Sequence, residues 1–438
     1  MTSQTARLYI ALVKRRNQML ALFCLFLFFA FGVFYFKYWV IQKPFGIILF
    51  IGEGVDAQQL AAARLQAGGP DKPLAIESLR YAALLKNYSS DSATPDPAAA
   101  ATALATGVKV NNGSLGIDVD GNELTTLLEL ARGSGRLVGL VTNGTVTSPT
   151  SAAFYAQTLA KDDRSTIARQ LAKAKLDLIL GGGLADFESA AENDQAANGR
   201  DLLGDLAHAG YEIVHSLEEL EDVAWWRRPK LAGFFADAEL PFAGDTSTQD
   251  DQPTLAVMVR RAIELLQYHR GGYLLVVDAA LPRKAANNSQ QRVAETVEFD
   301  HAISEALRYA GAKAMILVCS DVAIRSAAGR PEENVRNTPA AEPSAEAATA
   351  TPAETPAGEV QPRPDVPLEP VAAATIADQT ATPPPSETSP PGPELVEQPK
   401  AGDATAEDVL AFGIGLGANA LHGVAESTVI FDIVRDNL

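Results

Sequence analysis

The chain has 438 residues, of which 47% are hydrophobic, and its formal net charge at pH 7 is −18. A chain of this length and composition can bury a complete core, and we expect one large domain. The excess of negative charge argues against a nucleic-acid partner, because binding to phosphate backbones requires a basic surface.

An uninterrupted apolar run extends from Met19 to Phe36. As a helix it would be about 27 Å long, close to the thickness of a bilayer core. Basic residues cluster before the run, so the positive-inside rule keeps residues 1–18 in the cytoplasm and places the domain in the periplasm or another extracytoplasmic space. The alternatives are a cleaved signal peptide and a buried core helix. The run is longer than a usual signal core and no small-residue cleavage site follows it. We therefore expect one uncleaved transmembrane anchor over residues 19–41.

The two cysteines are Cys24, inside the apolar run, and Cys319, inside a predicted strand. They cannot pair within one chain, because one lies in the membrane segment and the other in the domain. The predicted fold therefore needs no disulfide.

Short apolar runs typical of strands buried on both faces alternate with helical segments along the domain. We predict strands at residues 46–51, 137–141, 176–180, 231–235, 273–277, 315–318, 409–412 and 428–431. We predict helices at residues 54–65, 125–131, 164–174, 253–267 and 293–309. This alternation favours a largely parallel sheet covered by helices on both faces, with functional residues at the carboxyl ends of its strands.

Residues 326–403 differ from the rest of the chain in composition. They contain 16 of the 26 prolines and no aromatic residue. Such a segment cannot bury enough apolar area to offset the entropy of ordering, and we expect it to be disordered. It is an insertion that divides the domain into residues 44–325 and 404–438. It serves either as a passive spacer or as a docking segment for a partner.

One passage resembles the nucleophile helix of the alkaline phosphatase family. It reads Asp96-Pro97-Ala98, continues as an Ala/Thr run to Ala105, and is followed by Thr106–Lys109 and Asn112–Gly116. Further blocks are similar to the family in the same order, namely Leu49–Gly54, Val138–Ala156, Leu180–Gly183, Glu295–Asp300, Glu407–Val409 and Leu421–Val424. The resemblance implies a three-layer α/β/α sandwich with a largely parallel central sheet.

The resemblance also implies a chemistry, in which a serine attacks the phosphorus atom, two zinc ions and a magnesium ion assist, and an arginine clamps the phosphoryl oxygens. The serine position is Pro97, which has no nucleophilic atom. The arginine position is Lys161, which lacks the bidentate guanidinium. Asp91-Ser92-Ala93 offers a rival nucleophile, Ser92, but its use would require the loop to slip by five residues along the chain.

Four zinc-ligand positions of the family carry neither imidazole nor carboxylate: Arg283, Asn287, Val322 and Ala404. The ligand positions that keep an oxygen donor are Glu53, Ser148, Thr150, Asp278 and Asp321. We therefore expect no zinc pair. Our hypothesis is that the oxygen donors hold one magnesium or calcium ion; the alternative is that Arg283 or Lys161 neutralises the carboxylates.

The histidine count agrees with this expectation. The five histidines are His208, His215, His269, His301 and His422, and none lies beside Asp321, within residues 278–287, or just before Glu407. We expect an inactive, membrane-anchored member of the family that binds a protein partner or a second copy, for example as a subunit of a membrane complex. The alternative is a phosphomonoester hydrolase with an altered metal site.

Overall fold

A mixed ten-stranded sheet forms the centre of the described structure. The computed structural model describes residues 3–35, 43–193, 201–224, 226, 230–245, 251–324 and 404–438. Its strands are β1 (Gly46–Gly52), β2 (Tyr81–Lys86), β3 (Leu137–Thr145), β4 (Leu178–Gly182), β5 (Tyr211–Val214), β6 (Lys230–Phe234), β7 (Tyr273–Ala279), β8 (Met315–Cys319), β9 (Ala323–Ile324), β10 (Ala404–Thr405), β11 (Val409–Ile414) and β12 (Gly423–Glu426).

The strand order in the large sheet is β12-β2-β11-β8-β1-β7-β3-β4-β6-β5. All neighbours run parallel except those of β11, which is antiparallel to both β2 and β8. Strands β9 and β10 form a separate antiparallel pair, in which Ala404 lies opposite Ile324. Strands β8, β1 and β7 occupy the middle of the large sheet, where the candidate site lies.

The helices are α1 (Ser3–Tyr35), α2 (Ala57–Ala67), α3 (Pro97–Thr106), α4 (Leu127–Gly133), α5 (Pro149–Ala152), α6 (Arg164–Lys173), α7 (Leu184–Asn193), α8 (Leu202–His208), α9 (Leu217–Asp222), α10 (Leu255–Leu266), α11 (Leu281–Lys284), α12 (Ser289–Tyr309) and α13 (Val429–Asp436). Many of them begin at a polar side chain that accepts a backbone N–H of the first turn, as Thr126 does for α4 and Asn288 does for α12. Such caps satisfy donors that have no partner within the helix.

Helices cover both faces of the sheet, and an apolar cluster fills the space on each side. Successive residues of β1 belong to different clusters, because side chains of a strand point alternately to opposite faces. Ile47, Leu49 and Ile51 pack with α3, α4, α6 and α13, whereas Ile48 and Phe50 pack with α2, α10 and α12. The three-layer α/β/α arrangement expected from the sequence is confirmed.

One predicted strand is wrong. Residues 428–431 begin helix α13 rather than a strand. The apolar run there is only three residues long, and the apolar residues that follow, Ile433 and Val434, continue it at helical spacing. The sequence does not predict strands β2, β5 and β12, which lie near the sheet edges. Exposed residues alternate with buried ones in β2 and separate them in β5, and β12 has no buried residue.

Helix α1 contains one segment, Leu12–Val33, that is long and apolar enough to cross a membrane. None of that segment is buried, and its place near the amino terminus also fits a signal sequence. Cys24 lies on this helix and is exposed, whereas Cys319 is buried in β8, and both are free thiols. The predicted disordered insertion, residues 326–403, lies outside the described residues.

Candidate functional site

Three buried carboxylates lie together at the carboxyl ends of β1, β7 and β8. Glu53 follows β1, Asp278 is in β7 and Asp321 follows β8, and their side chains are no more than 1% exposed. The strand register places Ile51 beside both Asp278 and Cys319, so the three chain segments are neighbours. This is the sheet edge at which functional residues of parallel folds gather.

Hydroxyl groups from the first turn of α5 hold two of these carboxylates. Ser148 and Ser151 donate to Asp278 Oδ2 at 3.0 and 2.7 Å. Thr150 donates to Asp321 Oδ2 at 2.8 Å. The sequence predicted Ser148 and Thr150 at this site but missed Ser151, although it belongs to the same hydroxyl-rich turn after β3.

The third carboxylate, Glu53, pairs with an arginine. Arg283 enters from helix α11, directly after β7, and its Nε donates to Glu53 Oε2 at 2.5 Å. The charge of Glu53 raises the pKa of Arg283, and Asp321 and Asp278 add to that effect. The guanidinium therefore lies within electrostatic reach of the whole cluster, which we call the carboxylate cluster (Glu53, Asp278 and Asp321).

Burial controls the protonation of this cluster. It raises the pKa of Asp278 and of Asp321, and the nearby charge of Glu53 raises both further. Buried carboxyls close to a like charge favour the neutral form. Two oxygens, Glu53 Oε1 and Asp278 Oδ1, are buried and have no hydrogen-bond partner among the described residues.

The predicted nucleophile position stands at the start of helix α3. Asp96 caps the helix by accepting the Ala99 N–H at 2.9 Å, and Pro97 is the first helical residue. The other oxygen of Asp96 accepts the Gly113 N–H at 2.8 Å and Lys161 Nζ at 2.7 Å. Lys161 thus pairs with Asp96 and not with the carboxylate cluster, which corrects one alternative raised from the sequence.

Proline is well suited to this position. Its fixed φ matches the helix, and its missing N–H would have no intrahelical partner in the first turn. The rival nucleophile Ser92 lies in the preceding loop, where its Oγ accepts the Thr94 N–H at 3.1 Å.

The remaining predicted positions bring apolar groups to the cleft. Val322 is fully buried and packs with Ala100, Ala286 and Ile324, which together form a small apolar cluster. Ile324 in turn covers Gly54, whose φ is +73°, so closely that a Cβ there would lie 2.3 Å from Ile324 Cδ1. Only a glycine is accommodated in that left-handed turn beside Glu53.

The other two positions carry neither an imidazole nor a carboxylate. Asn287 is exposed in the turn before α12. Ala404 lies in β10, opposite Ile324, and carries only a methyl group.

Zinc takes imidazole, thiolate or carboxylate donors, and the described residues of this site offer carboxylates and hydroxyls but no imidazole. All five histidines lie within the described residues and away from the cleft: His208, His215 and His269 contact backbone carbonyls, His301 contacts Glu298, and His422 is exposed. No group of three or more His, Cys, Asp or Glu side chains in the described part of the chain is arranged to hold a metal ion. Among the described residues, the Arg283 guanidinium is the cation that contacts the carboxylate cluster.

Comparison with known proteins places this chain in a family. The family model described as alkaline phosphatase matches residues 46–438. Alkaline phosphatase H of Pseudomonas aeruginosa (strain UCBPP-PA14) is 32% identical over 343 residues, 66% of this chain and 72% of the relative. The alkaline phosphatase of Escherichia coli (strain K12) is 31% identical over 322 residues, 62% of this chain and 68% of the relative.

Solved structures agree on the fold. The alkaline phosphatase of the Antarctic bacterium TAB5 aligns with a TM-score of 0.66 at 19% identity, covering 91% of this chain and 98% of that one. The alkaline phosphatase of Thermus thermophilus aligns with a TM-score of 0.67 at 22% identity, covering 91% and 92%. The family match over the whole globular part and the shared fold lead to one conclusion: the chain belongs to the alkaline phosphatase family.

Proposed function

We propose that this protein is a membrane-anchored member of the alkaline phosphatase family that does not hydrolyse phosphomonoesters by a serine and zinc mechanism, and that its role is binding or structural. The observation that carries the proposal is the ion pair between Arg283 and Glu53 inside the carboxylate cluster.

The start of helix α3 supports the loss of the nucleophile. Its first residues are Pro97, Ala98 and Ala99, none of which has an oxygen or sulfur side-chain atom. The neighbouring Asp96 is engaged by three donors, so the helix start is stably formed. A covalent phosphoenzyme needs a nucleophilic side chain with an adjacent activating group, and this position offers neither.

The charge of the cleft supports the loss of the metal pair. A guanidinium and a dication in the same buried carboxylate cluster would repel each other strongly, because the interior screens charges poorly. The fully buried Val322 and its cluster neighbours Ala100, Ala286 and Ile324 have apolar side chains that cannot ligate a metal ion. The residues Arg283, Asn287, Val322 and Ala404 are thus proposed as former zinc positions.

The amino terminus supports a location at the membrane. The uninterrupted apolar run of α1 begins at Met19 and is preceded by Lys14, Arg15 and Arg16, which favours a cytoplasmic amino terminus and a domain on the opposite side, periplasmic in a bacterium. The domain would then be held at the surface of the membrane, where a binding role needs a protein partner or a second copy of the chain. A subunit of a membrane complex is the form of this role that we propose.

Phosphatase assays on the full-length protein in mild detergent test the proposal. With p-nitrophenyl phosphate, Zn²⁺ and Mg²⁺ we expect no turnover above a buffer blank, while the Pseudomonas aeruginosa relative, assayed in parallel, turns over. Metal analysis of the purified protein should find no stoichiometric zinc. Co-purification from membranes, with and without residues 1–42, should recover partners that depend on the anchor.

The second candidate is a metal-dependent hydrolase with an altered metal site. It is favoured by the two buried carboxylate oxygens that lack hydrogen-bond partners, Glu53 Oε1 and Asp278 Oδ1, since hard cations take such ligands. Turnover that EDTA abolishes and Mg²⁺ restores would select this candidate and refute the first.

A further inference from the structure

We infer that the Arg283 guanidinium is the resident cation of the carboxylate cluster, and that removing it turns the cluster into a binding site for a divalent cation. The inference deepens the proposed function and rests on it. It gives the cleft a built-in counter-charge that a family member would otherwise take from solution as metal ions.

The position of Arg283 supports its role as the counter-charge of the carboxylate cluster. Its Nε lies 2.5 Å from Glu53 Oε2, and its side chain is only 26% exposed although it carries a full charge. Glu53, Asp278 and Asp321 all act electrostatically on this one guanidinium. A cation paired with Glu53 and within electrostatic reach of two further buried carboxyls on adjacent strands has the electrostatic position of a metal ion, because a buried carboxylate is unstable without a counter-charge.

Two carboxylate oxygens without hydrogen-bond partners support the capacity of the cluster to bind a divalent cation. Glu53 Oε1 and Asp278 Oδ1 are buried without a partner among the described residues, and a guanidinium satisfies only the atoms that its planar N–H groups can reach. The hydroxyls of Ser148, Ser151 and Thr150 lie on the same carboxylates. This all-oxygen set is what Mg²⁺ or Mn²⁺ prefers, and Arg283 is the one cation recorded against it in the described residues.

Arg283 and a divalent cation compete for the carboxylate cluster. While Arg283 is present, an incoming divalent ion meets a positive charge in a poorly screened site and does not bind. Once Arg283 is replaced by an uncharged side chain, the cluster has lost its counter-ion and the same ion restores it. Binding of the ion to the folded state then raises the stability of the variant by mass action.

The test compares the full-length wild type with Arg283→Met, both purified in detergent and stripped of metal. In EDTA we expect the midpoint of thermal unfolding of the variant to lie roughly 5 to 15 °C below that of the wild type. Millimolar Mg²⁺ or Mn²⁺ should recover most of that loss. Equilibrium dialysis should find one Mn²⁺ per chain of the variant and none on the wild type.

Two variants control for simple loss of packing. Arg136 is also largely buried, but it donates to the backbone carbonyls of Pro44, Phe45 and Asn437. Arg136→Met should therefore lower the midpoint without any recovery by Mg²⁺. The double variant Arg283→Met with Glu53→Gln should lose the Mn²⁺ site that the single variant gains.

The outcomes are separable from those of the phosphatase assay. Stoichiometric Mn²⁺ on the wild type, or no Mn²⁺ on Arg283→Met, would overturn the inference, and an inactive wild type would still leave the proposed function in place. Turnover by a metal-free wild type would refute the proposed function alone. If Arg283→Met does not fold even with Mg²⁺, the inference fails, since the ion was to replace the guanidinium.

Discussion

The two sides of the candidate cleft are built by different physics. On one side, the carboxylate cluster is held by hydroxyl donors and one guanidinium, so its stability depends on the balance of charges. On the other side, the side chains of Val322, Ala286, Ala100 and Ile324 form an apolar cluster, so their contribution to stability depends on volume and burial. The difference teaches that two parts of one site can be stabilised by different means, by an internal cation in one part and by apolar packing in the other.

The largest expected effect comes from breaking the charge balance. Glu53→Leu leaves Arg283 without its nearest carboxylate, and we expect a loss of about 3–5 kcal/mol in the free energy of unfolding. Chemical denaturation measures it. Glu77→Leu serves as the control: it breaks the more exposed Arg64–Glu77 pair, and its cost should be clearly smaller, because solvent screens exposed charges. Equal costs for both variants would mean that burial of the Arg283 pair is irrelevant.

Glu295 is a buried carboxyl that contrasts with Glu53, because no cation pairs with it among the described residues. Burial raises the pKa of Glu295 to about 7, from an ordinary 4.5, and no basic side chain offsets it. Because the pKa of Glu295 is higher in the folded than in the unfolded state, its contribution to the free energy of unfolding is fully present below about pH 4.5. That contribution is lost as pH rises through 7. The wild type should lose roughly 3 kcal/mol over this window relative to Glu295→Gln. Parallel pH profiles of the two proteins would contradict the raised pKa.

The stability contributed by the apolar cluster around Val322 depends on side-chain volume rather than on charge. Val322 is fully buried, and Val322→Ala removes two methyl groups from a packed cluster, which we expect to cost about 2 kcal/mol. Urea denaturation at low and high salt measures it, and the cost should be the same at both, because no charge is involved. A strong salt dependence would show that the two sides of the cleft are coupled.

The smallest expected effect concerns the insertion. Ile324 and Ala404 are paired across β9 and β10, and such antiparallel partners lie about 5 Å apart at Cα. Replacing residues 325–403 by a short Asn-Gly turn should therefore change the free energy of unfolding by less than about 1 kcal/mol. A larger loss would mean that the segment contributes to the core, against the composition that predicts disorder.

The sequence predicted the centre of the fold well and its edges poorly. Strands buried on both faces, such as β1 and β7, are continuous apolar runs and are easily recognised. The exposed residues of β2 interrupt that signal, and the short apolar run at residues 428–431 does not distinguish a strand from the helix α13 that it begins. Local pattern decides these elements only when burial is uniform.

The candidate site also has a part that the sequence predicts and a part that it does not. Glu53, Asp278 and Asp321 could be expected together, because each follows or ends a central strand at the same edge of the sheet. The apolar cluster around Val322 could not, since its members come from three separate segments and meet only through tertiary packing. Whether these positions correspond to ligands in active relatives stays a prediction.

The reactivity of Cys319 measures local opening of the middle of the sheet. It lies in β8 between β1 and β11, and burial raises the pKa of its thiol. The reactive thiolate therefore forms only when the strand separates from its neighbours. Cys24 lies within the apolar segment of helix α1, so labelling of a Cys24→Ala variant isolates the signal of Cys319. The rate of labelling by a sulfhydryl reagent thus reports how often the middle of the sheet opens, two residues before Asp321.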